Sequence, residues 1–528
     1  MASSARTGLA DRDGPHGSLS FEPLTPTAFL DRAAAVHADR LAVVDGALRL
    51  TYHQFHDRCL RLAGALADLG IRPGDRVAVL APNTHLLLEA HFGVLYGGAV
   101  LVTLNTRLSA DELRYIVEHA GCRALLYDPD LAELAAAIVR TLPGVRLVDG
   151  GTEYERLLAA AAPRRVPVPD ERALMALNYT SGTTGHPKGV MYHHRGAYLQ
   201  SLAMVTHFGL GTGTVYLWTL PMFHCNGWCF TWAVTAAGGT HVCLRRVVPD
   251  RVWDLIQSEG VTMLCAAPTV LVSLAEAGSA SSVPDRRVTV AVGGAPPSPS
   301  LLRRCAALGF DITHLYGLTE TFGPVAICDW QPEWDHRPAP EQATLRARQG
   351  VANVISCALR VVDTDGHDVP ADGETVGEVA MRGNNVMLGY HRDEAATRAA
   401  APDGWFRTGD LGVRHPDGYL ELRDRAKDVI ISGGENISSI EVEAVLSGHP
   451  AVLEAAVVAV PDERWGERPV AFVTLRPGAH AAPDTLRAHV RAHLAAFKVP
   501  DRIEFRDLPK TASGKVRKVE LRAAARQD

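Results

Sequence analysis

No stretch of this 528-residue chain is apolar for long enough to cross a bilayer. The longest run, residues 261–275, is interrupted by Thr262, Pro268, Thr269 and Ser273 and falls short of the roughly 20 residues a spanning helix needs. Residues 1–17 carry Arg, Asp, Gly and Pro around no apolar segment, which excludes a secretory signal and makes residues 1–20 an expected disordered tail. Cysteine is sparse as well. The nine cysteines are scattered and odd in number, which argues against a disulfide framework and for a reducing, cytoplasmic setting. There is also no basic excess: 53 Lys and Arg against 59 Asp and Glu give a net charge of -6, so a dedicated nucleic-acid partner is not expected. No sequence repeat suggests a solenoid. What remains, with 47% apolar and 21% charged residues, is a globular chain too long for one core.

Its organisation follows from periodicity. Residues 77–81 and 99–104 are apolar enough for buried strands, and the segment from Leu87 to Tyr96 between them has helical length. Ser109 with Glu112 is a capping-box pattern before Leu113, Ile116 and Val117, and Gly121 is a stop signal ahead of a strand at 124–127. Strand and helix in alternation predict a parallel sheet covered by helices. Toward the carboxyl end, Ser438 with Glu441 repeats the cap, residues 455–460 and 470–475 read as strands, and Leu486, Val490 and Leu494 form a helix stripe. This describes a small α+β unit. The charged stretch 423–428 has too little apolar surface for core and is the expected boundary and hinge.

The strongest chemical signal is Tyr179-Thr-Ser-Gly-Thr-Thr-Gly-His-Pro-Lys-Gly189. Glycines let backbone amides approach an anion, hydroxyls add donors and Lys188 adds positive charge, which together make a polyphosphate cradle. It is not a Walker A loop, because Gly189 stands where that motif requires Ser or Thr after the lysine.

That segment resembles the phosphate loop of the adenylate-forming superfamily, which includes acyl-CoA synthetases, peptide-synthetase adenylation domains and luciferases. Further segments resemble the same family in the same order: Pro221-Met-Phe-His-Cys-Asn-Gly-Trp228, Gly293-Gly-Ala-Pro296, Tyr316-Gly-Leu-Thr-Glu-Thr321, Gly404-Trp-Phe-Arg-Thr-Gly-Asp410, Arg425-Ala-Lys-Asp-Val-Ile-Ile-Ser-Gly-Gly-Glu-Asn436 and Pro509-Lys-Thr-Ala-Ser-Gly-Lys515. The resemblance implies an α/β fold in which a large, multi-subdomain N-terminal adenylate-forming domain (residues 21–424) precedes a small mobile α+β lid (residues 425–528) with its hinge near Lys427. It further implies ATP, Mg²⁺ and coenzyme A as reactants, a small-molecule carboxylic acid as substrate, and is compatible with a homodimer.

Site roles follow from the same resemblance. Thr180, Ser181, Gly182, Thr183, Thr184 and Lys188 would hold the polyphosphate. Gly294, Ala295, Pro296, His314, Leu315, Tyr316, Gly317 and Thr319 would line the nucleotide, with Asp410 and Arg425 on the ribose. Glu320, a hard oxygen ligand of the kind Mg²⁺ prefers, and Thr180 would meet the metal. Lys515 would stabilise charge on the carboxylate and α-phosphate, with His224, Thr319 and Glu320 beside it. Gly433 and Gly434, next to Ser432, would leave space for the pantetheine arm after rotation about Lys427. His224, Gly227, Trp228, Gly317 and Gly323 would form the acyl pocket, with Trp228 as gate and the glycines supplying room. A medium or longer fatty acid is expected on that account, with a short-chain or aryl acid, or a carrier protein as acceptor, as the alternatives. A silent nucleotide-binding scaffold is disfavoured because Lys188, Glu320, Asp410 and Lys515 are all present.

Two other readings touch this region. His224, Cys225, Cys229, His241 and Cys243 suggest zinc by spacing, but Phe230, Trp232, Ala233 and Val234 among them read as core. His193-His194 begins a helix and is assigned no chemistry. Departures from the family pattern are Asp424 in place of Gly, Lys427 in place of the commoner Asp, and a long segment at 329–349 carrying Trp330, Trp334 and Arg348.

Overall fold

The computed structural model describes residues 21–180, 187–280, 287–294, 297–357, 359–425, 428–432, 435–462, 464–511 and 515–525. Ser181, Gly182, Thr183, Thr184, Ala295, Pro296, Lys427, Gly433 and Gly434 lie outside these residues, as does the 1–20 segment.

Four sheets organise the described chain. The expected strand and helix alternation builds a six-stranded sheet in which Arg146–Asp149, Cys122–Tyr127, Arg76–Leu80, Val100–Thr103 and Leu174–Thr180 run parallel and Lys188–His193 closes the edge as an antiparallel hairpin. A nine-stranded sheet faces it, with a parallel centre that includes Met263–Ala266, Val288–Val292 and Phe310–Leu318 and an antiparallel continuation through Gly323–Ile327. Between them sits helix His85–Tyr96, whose residues 86–96 are all buried. A helix apolar on every side is explained by this double burial. Its one acid, Glu89, is compensated by Arg58 Nε at 2.5 Å and the Tyr154 hydroxyl at 2.5 Å, as a buried charge requires. One core cluster joins both sheets, from Val77 and Leu101 to Trp218, Cys265, Ala291 and Leu315.

Local signals translate directly. Ser109 and Glu112 form the reciprocal cap of helix Ala110–Ala120, and Gly121 ends it in the left-handed conformation. His193 caps helix His194–Phe208 by accepting from Gly196 N. The second predicted box is only half made: Ser438 Oγ accepts from Glu441 N, but the Glu441 carboxylate turns to Lys498 at 2.6 Å.

A four-stranded antiparallel sheet carries Phe406–Arg414 beside Leu420–Arg425, and a separate five-stranded sheet begins at Ile430–Ser432. Residues 423–425, expected in a solvated linker, therefore belong to a strand. Asp424 is 3% exposed; its Oδ2 accepts from Ser439 N, the first amide of helix Ser439–Ser447, at 2.5 Å. A carboxylate aimed at a helix N-terminus satisfies an orphan amide and the helix dipole together, which is how a charged residue is buried here without apolar surface. The 329–349 segment is held by Trp330 against Trp334, by Trp334 against Tyr419 and by the Arg348–Asp417 pair at 2.8 Å.

Candidate active site

The cleft forms where strand Phe310–Leu318 passes through the turn Thr319–Thr321 into Gly323–Ile327. Tyr316 is 8% exposed and its hydroxyl donates to Asp410 Oδ2 at 2.5 Å. Asp410 Oδ1 meets Arg425 Nε at 3.0 Å, because Asp410 and Arg425 are paired across their two strands. Burial and the Asp410 charge push the Tyr316 phenol well up, so it remains a donor. His314 is turned away: its Nδ1 lies 2.9 Å from both the Ala347 and Arg348 carbonyls, so the ring donates there and is held neutral by burial, at about 4.

Lys515 reaches this centre from the small domain. Thr511 N donates to Lys515 O at 2.7 Å and Lys510 pairs antiparallel with Val516, which fixes where the lysine leaves the backbone. Its Cε lies 3.7 Å from where a Cβ on Gly294 would be. Burial and then Arg425 lower its pKa, against Asp410, Cys225 and Glu320, which raise it. His224 stands beside it and is pushed down to about 4 by burial and by the Lys515 charge, so it is a neutral imidazole.

The backbone after His224 is unusual. Cys225, Asn226, Gly227, Trp228 and Cys229 all have positive φ, from 50° to 64°. A left-handed turn costs about 1–2 kcal/mol per residue with a Cβ, so the surroundings must hold it. Asn178 Nδ2 donates to Asn226 Oδ1 at 2.7 Å, Thr231 Oγ1 to Asn226 O at 3.1 Å, and Gly227 N to His224 O at 2.9 Å. Trp228 on this turn is 7% exposed. Its Cη2 lies 2.9 Å from a Cβ built on Gly293, and its Cα, Cβ and Cδ1 lie 3.1–3.2 Å from one built on Gly323. The expectation that glycines supply room for a long tunnel is corrected accordingly. Gly293 and Gly323 accommodate the indole; the ring of Trp218 occupies the space at Gly227, and the backbone of Gly323 that at Gly317.

The five residues of the zinc reading are spent separately. Cys225 Sγ is directed to Thr319 Oγ1, Cys229 Sγ to Phe322 O, and His241 lies between Trp218 Nε1 and Thr235 Oγ1. Cys243 packs in the core.

Thr180 and Lys188, which flank the phosphate-loop motif, are paired in register. Glu320 offers one oxygen to the Tyr390 hydroxyl at 2.8 Å, and its other oxygen has no partner among the described residues. A carboxylate oxygen with no partner among the described residues is a ligand that fits a hard divalent cation. Tyr390 was invisible to motif reasoning, since only the pairing of 387–391 against strand Lys188–His193 brings it here.

This arrangement has clear counterparts. The AMP-binding enzyme family matches residues 30–391, and the AMP-binding enzyme C-terminal domain matches residues 441–515. An acetate–CoA ligase of Humulus lupulus is 44% identical, with 98% of this chain and 97% of that protein covered. A peroxisomal acetate/butyrate–CoA ligase of Arabidopsis thaliana is 45% identical at the same coverage. Among solved structures, ATP-bound MatB from Rhodopseudomonas palustris superposes with a TM-score of 0.84 at 28% identity, covering 94% of this chain and 98% of that one. No helix among the described residues is long and apolar enough to cross a membrane. An Asp–Arg–Tyr centre, a loop-borne lysine and a matching profile over both domains lead to one conclusion: the chain belongs to the AMP-binding enzyme family, the adenylate-forming group of acid–thiol ligases.

Proposed function

We propose that this enzyme adenylates a short-chain carboxylic acid with MgATP, releasing pyrophosphate, and then transfers the acyl group to coenzyme A with loss of AMP. The observation that carries the chain-length assignment is Trp228, held between Gly293 and Gly323 where a longer acyl chain would run. The names of the acetate and acetate/butyrate relatives favour the same reading over a medium or long fatty acid. A trans-cinnamate:CoA ligase of Petunia hybrida at 42% identity makes an aryl acid the second reading.

In the first half-reaction a carboxylate oxygen attacks the α-phosphorus and pyrophosphate leaves. Two anions approach, so catalysis consists mainly of positioning and of placing fixed positive charge where negative charge develops. Lys515 supplies that charge. His224, neutral beside it, adds no second cation to repel Lys515 and borders the acid carboxylate. Asp410, oriented by Tyr316 and Arg425, accepts the ribose hydroxyls. Glu320 and Thr180 would hold the Mg²⁺, which when bound neutralises phosphate charge; Lys188 holds the distal phosphates.

In the second half-reaction the small domain, residues 425–528, turns about Lys427, withdraws Lys515 and brings Gly433 and Gly434 to the cleft for the pantetheine arm. Eight buried free cysteines suit a reducing compartment such as the cytoplasm. A panel of acetate, butyrate, 2-methylpropanoate, hexanoate, octanoate and cinnamate, read by CoA-dependent pyrophosphate release, tests the assignment. Highest kcat/KM on octanoate refutes it, and turnover only with a carrier protein refutes the acceptor.

A further inference from the structure

Lys188 lies on the edge strand of one sheet and Glu320 on a turn between two strands of the other, yet both contact Tyr390. The 387–391 segment runs as an added antiparallel strand on Lys188–His193: Leu388 N donates to Met191 O at 3.0 Å, Met191 N to Gly389 O at 3.0 Å and His391 N to Gly189 O at 2.7 Å. Met387 N donates to Glu320 O at 2.8 Å, which ties the same segment to the turn of the second sheet, and Tyr390 N donates to Thr397 Oγ1 at 2.9 Å. The backbone of Tyr390 is therefore fixed on several sides. Its hydroxyl donates to Glu320 Oε1 at 2.8 Å, while Lys188 Nζ sits 4.8 Å from the centre of its ring.

We propose that Tyr390 is a positioning residue that keeps Lys188 and Glu320 from forming an ion pair and so preserves both charges for the metal-bound triphosphate. An ammonium and a carboxylate this close to one aromatic ring would otherwise neutralise each other. The ring face holds the lysine by its quadrupole, and the hydroxyl occupies one carboxylate oxygen while the second stays open. In this contact the phenol is the donor and the carboxylate the acceptor. The inference rests on the reading of Glu320 as metal ligand.

Equilibrium ATP binding, measured by calorimetry with EDTA and with saturating Mg²⁺, tests it without reference to turnover. Tyr390→Phe keeps the ring and loses the hydroxyl, so metal-free ATP affinity should stay within about twofold while the gain on adding Mg²⁺ falls by about tenfold. Tyr390→Leu should also weaken metal-free binding, because Lys188 can then pair with Glu320. Adding Glu320→Gln to Tyr390→Leu should restore metal-free affinity, since no carboxylate remains to capture the lysine. If Tyr390→Phe and Tyr390→Leu behave alike, or if Glu320→Gln fails to rescue, Tyr390 does not separate the charges. Should the Mg²⁺ gain survive Glu320→Gln in the otherwise native enzyme, the metal reading of Glu320 fails instead. Melting temperatures of each variant separate misfolding from either outcome.

Discussion

Removing the Trp228 indole should convert chain-length preference, and the structure sets the size of the effect. In the native pocket the ring lies within 3.2 Å of the Cβ positions of Gly293 and Gly323, so an acid two methylenes longer than butyrate must displace it. Overpacking of that kind costs about 1–3 kcal/mol. With Trp228→Ala the same two methylenes enter an apolar space bordered by Leu315 and contribute about 0.8 kcal/mol each, or about 1.6 kcal/mol together. From the lower overpacking limit the swing is about 2.6 kcal/mol, roughly 80-fold in the ratio of kcat/KM for hexanoate over butyrate. Initial rates of pyrophosphate release across the C2 to C8 acids give that ratio directly, and the ATP KM serves as the internal control. The variant should lose stability, by up to about 3–5 kcal/mol, which a melting curve reads separately. A ratio that moves less than fivefold, or an equal change in ATP KM, would sink the claim that Trp228 limits the acyl pocket.

Four further outcomes are expected. Lys515→Ala should slow acyl-adenylate formation by orders of magnitude yet convert supplied acyl-AMP and CoA to thioester, and Lys427→Pro should do the reverse; equal slowing of both steps by each variant would exclude two orientations. Asp424→Gly, which removes the carboxylate from the Ser439 amide, should lower stability by about 1 kcal/mol and slow adenylation more than thioester formation. Arg476→Gln, which breaks the contact with Glu276 across the two domains, should bias the half-reactions the same way, and a thioester step that suffers more would contradict the docking role. Finally, His193, His194, His224 and His314 are pushed down to about 4, and His241 to about 3, chiefly by burial. The unfolded chain takes up these protons near pH 6.5 and the folded chain only near pH 4. Stability is therefore complete above about pH 6.5 and lost as pH falls toward 4. A melting temperature that stays flat from pH 7.5 to 5 would show that these rings are not buried as described.

The sequence by itself determined the family and the two-part layout and named a candidate centre, because those rest on contiguous residues. A phosphate loop, a Tyr-Gly-Leu-Thr-Glu turn and a terminal lysine loop each carry their chemistry within a few positions, and the Ser109 cap with its Gly121 stop needed no long-range information. Tertiary structure decided the rest. Whether Trp228 opens or closes the pocket depends on Gly293 and Gly323, which lie far along the chain, and on a left-handed turn that no propensity predicts. Asp424 looked like linker because its charge is local information, whereas its partner amide belongs to another domain. Tyr390 carried no motif at all. Its contacts with Lys188 and Glu320 exist only because an edge strand of one sheet and a turn of another are brought to the same short segment, and such three-way convergence is written in the packing rather than in the order of residues.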